Sequence, residues 1–186
     1  MGLLTDSQLR HSTIKGEPLI LCHPNIPKSL HGVNPRTHMG TKWWDVERKK
    51  AYSLKDHHCY ACGQHMKASI RPYLEAHEEY MYDYETGEVR LTRIVALCHE
   101  CHSFIHSGLL AKKAQKGEIT FEFHDMIVDR GCQILEDADL LDEWESRHNF
   151  IIDHLDWNDW HMIMPDGKTV HPDLKSIEEW EKFYGK

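Results

Sequence analysis

Short stretches of apolar periodicity alternate along the chain with dense turn signals. Residues 1–40 carry Pro18, Pro24, Pro27 and Pro35 together with four glycines. That density excludes a long helix and predicts an arm lying extended over the body, with Leu19-Ile20-Leu21 as one strand or a docking contact. From Lys42 to Leu54 the pattern turns helical, with Thr41 as N-cap and Trp44, Ala51 and Tyr52 on one face. Residues 73–77 and 89–97 read as two extended segments around a turn at Glu85-Thr86-Gly87. A helix opening at Cys98-His99-Glu100-Cys101 runs through His102 to Ser107 and stops at Gly108, a left-handed cap. Beyond Gly117 the pattern is again helical, with Met126, Ile127, Ile134, Leu135, Leu140, Leu141 and Trp144 as its buried positions. Trp160, Met162 and Met164 alternate before Pro165-Asp166-Gly167-Lys168, so residues 157–171 read as a hairpin. Ser176-Ile177-Glu178-Glu179 is a capping box that starts a short last helix. Trp157, Trp160, Trp180, Phe183 and Tyr184 are read as core of this end of the chain. The sum is an α+β protein.

Composition narrows the class. With 186 residues, 40% hydrophobic and 28% charged, the chain is of ordinary globular make-up, about one domain with an appended lobe. The boundaries suggested are an N-terminal arm (1–40), a central domain (41–117) and a C-terminal lobe (118–186). Mean hydropathy is −0.61, and no apolar run approaches the ~20 residues that span a bilayer. Leu3-Leu4 is too little for a signal peptide, and Asp6 breaks the myristoylation pattern that Gly2 would begin. No membrane role and a cytoplasmic location are therefore expected.

Charge changes the picture by being uneven. Between Glu118 and Asp159 thirteen acidic residues face only Arg130 and Arg147, a net of −11, whereas the whole chain carries −8 and the remainder therefore +3. Between Arg36 and Lys116 thirteen basic residues face ten acidic ones. A mildly basic body can meet phosphate locally whatever the total charge, because the field in a cleft is set by nearby groups. The acidic lobe is a possible site for a protein partner.

Sixteen histidines and six cysteines supply the candidate chemistry. Cys59-x2-Cys62 and Cys98-x2-Cys101 can close a tetrahedral zinc site, since each knuckle presents two sulfurs while turning the chain. Gly63 suits the turn that wraps backbone N–H groups around a thiolate. In a reducing compartment metal ligation is favoured over disulfides. Cys22 and Cys132 stand alone and are read as buried thiols. His102 and His106, four apart on a helix anchored by Cys101, share a face and can reach one ion. His77, on the strand between the knuckles, is the third candidate. Glu75, on the same strand face, is a candidate to orient it.

A C-x2-C pair, an extended L-E-x-H-x segment and then L-C-x2-C-H-x3-H, spanning Cys59 to His106, resemble the zinc-containing branch of the HNH endonucleases, of phage and bacterial type. Asn34-Pro35-Arg36 and Trp43-Trp44-Asp45 are similar to sequence preceding that core. The resemblance implies a ββα-metal (His-Me finger) core stapled by a structural zinc on Cys59, Cys62, Cys98 and Cys101, followed by a mainly helical acidic lobe ending in a hairpin and short helix. It implies a catalytic divalent metal (Mg2+, Mn2+, Ni2+ or Zn2+) on His77, His102 and His106, and phosphodiester hydrolysis in nucleic acid, DNA foremost. Glu78 stands where the family has its histidine base and is expected to serve as base or as a further metal ligand. Arg93 replaces the motif's asparagine. Backbone phosphates would dock on basic residues such as Lys49, Lys50 and Lys67, with little sequence choice. The alternative is a zinc-stabilised binding protein on the same scaffold, with catalysis lost and a nucleic-acid or protein partner. A zinc-dependent transcription factor is less favoured, because no helix clusters Arg, Asn and Gln.

Overall fold

The computed structural model describes residues 15–66, 73–149 and 154–184. In order, two 3-10 turns (Pro18–Cys22 and Lys28–Leu30) lead into helices α1 (Pro35–Met39) and α2 (Thr41–Leu54). Strands β1 (Glu75–Asp83) and β2 (Glu88–Leu97) follow, then helices α3 (His99–Ile105), α4 (Ser107–Gln115), α5 (Phe121–Glu136) and α6 (Leu141–Asn149). Strands β3 (His161–Ile163) and β4 (Thr169–Val170) and helix α7 (Ile177–Tyr184) complete the chain. The protein is α+β, as its sequence pattern predicts. No helix among the described residues is long and apolar enough to cross a membrane.

The four strands form one sheet in the order β1-β2-β3-β4. β1 and β2 make an antiparallel hairpin in which His77 faces Val95 and Glu79 faces Arg93; a bulge follows Glu79. β1 extends six residues beyond the predicted 73–77, because Tyr80 and Tyr82 keep alternating onto a core that the charged neighbours Glu78, Glu79 and Asp83 hide from a pattern search. β3 then enters beside β2 in parallel, pairing Val89 with Met162. Its entry depends on Gly87, whose φ is +74° and where a Cβ would lie 2.6 Å from the Asp159 carbonyl oxygen. The Gly87 carbonyl accepts from His161 N–H at 3.0 Å, which fixes the parallel register. The expected 157–171 hairpin thus exists, but as an extension of the central sheet.

Two apolar clusters hold these elements. One gathers Leu21, Cys22, the knuckle cysteines, Val95, Leu97, Phe104, Ile127 and Leu135, with Trp144 packed against it. Its members come from the N-terminal segment, the knuckles and the acidic stretch alike. The other joins Leu30, Val33, Val89, Trp160, Met162 and Met164, the last three in the alternation read from sequence. Leu19-Ile20-Leu21 forms a 3-10 turn rather than a strand, since Pro18 at its start presets the backbone and the segment docks end-on with Ile20 and Leu21 buried.

Three expectations are corrected. Gly108 is not a helix cap but lies inside α4; the chain bends two residues earlier, at His106, whose N–H bonds the carbonyls of both His102 and Phe104. Met126 is 50% exposed, because α5 buries the stripe Ile127, Gly131 and Leu135. Phe183 and Tyr184 are 68% and 36% exposed, whereas Trp180 is buried and donates its indole N–H to His31 Nδ1 at 3.1 Å. One half of the capping box forms as expected, Ser176 Oγ accepting from Glu179 N–H at 3.4 Å, while the Glu179 carboxylate accepts from the N–H of Lys175, one residue earlier, at 2.8 Å.

Candidate metal centres

The first knuckle is a tight turn in which Cys59 N–H donates to Gln64 O at 2.8 Å and Gly63 N–H returns to Cys59 O at 2.9 Å. Gly63 has φ +73°, as its place after the second cysteine predicted. Tyr60 N–H donates to Ala96 O at 2.7 Å, tying the knuckle to the last residues of β2. That places it beside Cys98, the N-cap of α3, and Cys101 in its first turn. The four thiols converge, their sulfurs all within 4.8 Å of one another, with Cys62 Sγ 3.9 Å from Cys98 Sγ. This is a possible zinc site of the expected composition, and the donor set fits: three of the four cysteines are buried, and tetrahedral thiolate coordination is what zinc favours.

Arg130 clasps the two knuckles from α5. Its Nε lies 2.8 Å from a Glu100 carboxylate oxygen and its Nη2 donates to Gln64 Oε1 at 3.4 Å. One of the two basic residues in the acidic stretch therefore faces the thiol cluster. There it offsets the negative charge that four thiolates would keep after binding one divalent ion.

The second centre is built from β1 and α3. His77, His102 and His106 bring ligand atoms within 4.8 Å of one another, with ring centroids 4.8–5.5 Å apart. His77 is only 5% exposed, and its Nε2 is buried without a hydrogen-bond partner. A buried, unpartnered imidazole nitrogen costs on the order of 1–3 kcal/mol, which coordination to an ion would recover. Burial also holds the His77 pKa well below its ordinary value, and His106 is held down to about 4 by desolvation and by neighbouring His102 and His23. Neutral imidazoles are the form that ligates a metal. Zn2+, Ni2+ and Mn2+ suit three nitrogens better than Mg2+ does.

Glu75 takes a different partner from the one expected. Its carboxylate accepts from Nδ1 of His102 and, at 2.8 Å, from Nδ1 of His99, both reached from the start of α3, rather than bonding His77 on its own strand. These bonds hold the Glu75 pKa at about 2, the one to His102 contributing most. They fix the His102 tautomer and leave its Nε2 free, the arrangement that orients a metal-ligating histidine. Glu75→Gln is therefore expected to weaken Ni2+ or Zn2+ binding at the three-histidine centre about 10–100-fold while leaving the cysteine-bound zinc in place, as calorimetric titration of zinc-loaded protein would read.

The remaining candidates are placed as follows. Glu78 is not among the converging ligand atoms, because alternation along β1 turns it to the face opposite His77. Its pKa is raised, chiefly by burial. Arg93 is bound to the Glu79 carboxylate opposite it and lies 4.6 Å from the Tyr60 ring centre. Lys50 pairs with Glu47 at 2.6 Å and Arg48 with Asp45 at 2.8 Å, Lys49 is exposed, and Lys67 falls outside the described residues. Cys22 is buried and Cys132 half-buried.

Sequence reasoning missed His23. This buried residue accepts the Tyr80 N–H on Nε2 at 2.9 Å, the amide that follows the β-bulge. Its ring stands edge-on to His77 at 5.4 Å, and burial lowers its pKa to about 4. Only the fold brings residue 23 to this strand, and no local spacing marks it among sixteen histidines. Compared with protein-family models, with curated proteins and with solved structures, the chain finds no match.

Proposed function

We propose that the protein is a metal-dependent endonuclease of the HNH type, which hydrolyses phosphodiester bonds of nucleic acid, DNA foremost. The observation that carries this reading is the convergence of His77, His102 and His106 on an antiparallel hairpin followed directly by a helix, with the His77 Nε2 buried and unpartnered. A structural zinc on four cysteines would need none of these histidines. In this reading β1, β2 and α3 form the ββα-metal core, and the centre takes a divalent ion for catalysis.

Such an ion supplies Lewis-acid stabilisation of the charge that develops on phosphodiester oxygens. The chain supplies the rest. Glu75 holds His102 in register, and packing beneath β1 holds His77. Glu78 occupies the motif's base position but lies on the strand face opposite His77, so a role as base would require it to meet the water from that face; its raised pKa brings a carboxylate nearer the range in which general bases work. The pairs Lys50–Glu47 and Arg48–Asp45 are exposed and screened by solvent, so a phosphate backbone can exchange with their carboxylates.

The test is cleavage of supercoiled plasmid and of single-stranded DNA with Mg2+, Mn2+, Ni2+ or Zn2+. Wild type is expected to cut with at least one of these ions, and His106→Ala to lose cleavage. Glu78→Ala is expected to slow it about 10^2–10^4-fold if Glu78 is the base. Folded, zinc-loaded protein that cuts nothing with any ion would overturn the nuclease reading. The reading left standing would be a zinc-stabilised binding protein, favoured by the engagement of Arg93 with Glu79 and by the turn of Glu78 away from the three histidines.

A further inference from the structure

A second group of histidines flanks the first knuckle, outside both sets of converging ligand atoms described above. Met66 N–H donates to His57 O at 2.9 Å and Cys59 N–H to Gln64 O at 2.8 Å, which makes His58 and His65 a bridged antiparallel pair. The bonds lie on either side of the pair and not within it. This is the non-hydrogen-bonded register, in which directly opposed side chains approach most closely on one face. The two imidazole rings are accordingly 4.7 Å apart, tilted by 50°. Alternation turns both away from Cys59.

The two rings are not equivalent. His58 is 5% exposed, and its Nδ1 lies 2.9 Å from Lys55 O and 2.8 Å from Asp56 O. Two carbonyl oxygens at one ring nitrogen require that nitrogen to carry the hydrogen, so Nε2 holds the lone pair. That Nε2 is buried and has no hydrogen-bond partner. The carbonyls are presented by an unusual loop: Asp56 and His57 have φ of +46° and +58°, two successive non-glycine residues in the left-handed region. Nδ1–H bonded to a backbone carbonyl, with Nε2 left open, is how a protein pre-orients an imidazole to ligate a metal. His65, exposed on the partner strand, completes the pair from the solvent side.

We propose that His58 and His65 form a third metal site, a two-imidazole site for a divalent transition-metal ion of the nitrogen-preferring kind, Ni2+, Cu2+ or Zn2+. The ion would be held by Nε2 of His58 and one nitrogen of His65, with its other positions open to water or an exogenous ligand. It would clip together the two arms of the knuckle that carries Cys59 and Cys62. The proposal is independent of any nuclease activity.

The test uses the full-length, zinc-loaded chain with His77, His102 and His106 all replaced by alanine, so that the catalytic-type centre cannot contribute. Equilibrium dialysis against Ni2+ with metal analysis is expected to find one Ni2+ per chain beyond the cysteine-bound zinc. Adding His65→Ala, a change at an exposed position that leaves the fold alone, is expected to weaken that binding at least tenfold. His58→Gln is expected to do the same. Nitrogen-15 spectra of the imidazoles should show His58 Nε2 as the perturbed atom. Absence of Ni2+ binding in the triple variant, or binding that His65→Ala leaves unchanged, would overturn the proposal.

Discussion

Cys101→Ser is expected to release the zinc and unfold the protein. Cys101 joins the knuckle turn at Cys59–Cys62 to the first turn of α3, and it is packed within the larger core cluster beside Leu97 and Phe104. Structural zinc sites contribute about 10–16 kcal/mol of binding free energy, as large as the about 5–15 kcal/mol by which a whole domain is stable. Losing one thiolate therefore removes a contribution comparable to the stability of the whole domain. The loss does not stop at the zinc, because α3 also carries His102 and His106, so the three-histidine centre should disappear with it. Metal analysis and a circular-dichroism melt would read the two consequences together: less than one zinc per chain and no cooperative transition. Cys132→Ser, at a half-buried position outside both centres, should keep full zinc and melt near wild type. A Cys101→Ser protein that folds cooperatively without zinc would remove the structural role assigned to the cysteines.

What the sequence disclosed follows from how local each feature is. The two C-x2-C pairs and the His102–His106 spacing are short-range patterns dictated by ligand geometry, and the structure brings both sets together. The alternation of Trp160, Met162 and Met164 is equally local and correctly marks a buried face. Their pairing with β2 is not local: Val89 pairs with Met162, seventy-three positions further along the chain, and the contact is set by Gly87 admitting a second backbone. The same limit hid His23 and gave Glu75 the wrong partner, since both depend on which element docks against β1. The misplacement of Met126 has another cause. A search for large apolar residues passes over Gly131, although the absence of a side chain there is what lets α5 approach α3.

That absence leads to a prediction whose sign runs against helix propensity. Gly131 lies in the interior of α5, where replacement by alanine ordinarily stabilises by about 0.5–1 kcal/mol. Here a Cβ would stand 2.0 Å from Cδ2 of Phe104 and 2.3 Å from its Cγ. The ring cannot swing aside into solvent, because Phe104 is 1% exposed and stacked on Trp144 at 5.8 Å. Overpacking of a closed core costs about 1–3 kcal/mol and at times more, so the clash outweighs the helical gain. Gly131→Ala is expected to destabilise zinc-loaded protein by about 2 kcal/mol, a fall of roughly 4–8 °C in Tm for a chain of this size. Phe104→Ala should be destabilising by itself through the cavity it opens. In the double variant the added Cβ meets empty space, so the two effects should sum to less than their separate costs by about 1–3 kcal/mol. Strict additivity in that cycle would mean that α5 simply slides away and that the close approach has no energetic weight. The same contact bears on the metal centre, because Phe104 sits on α3 between His102 and His106. Pushing its ring displaces the helix that carries two of the three histidines, and Ni2+ affinity at that centre should fall in Gly131→Ala but recover in the double variant.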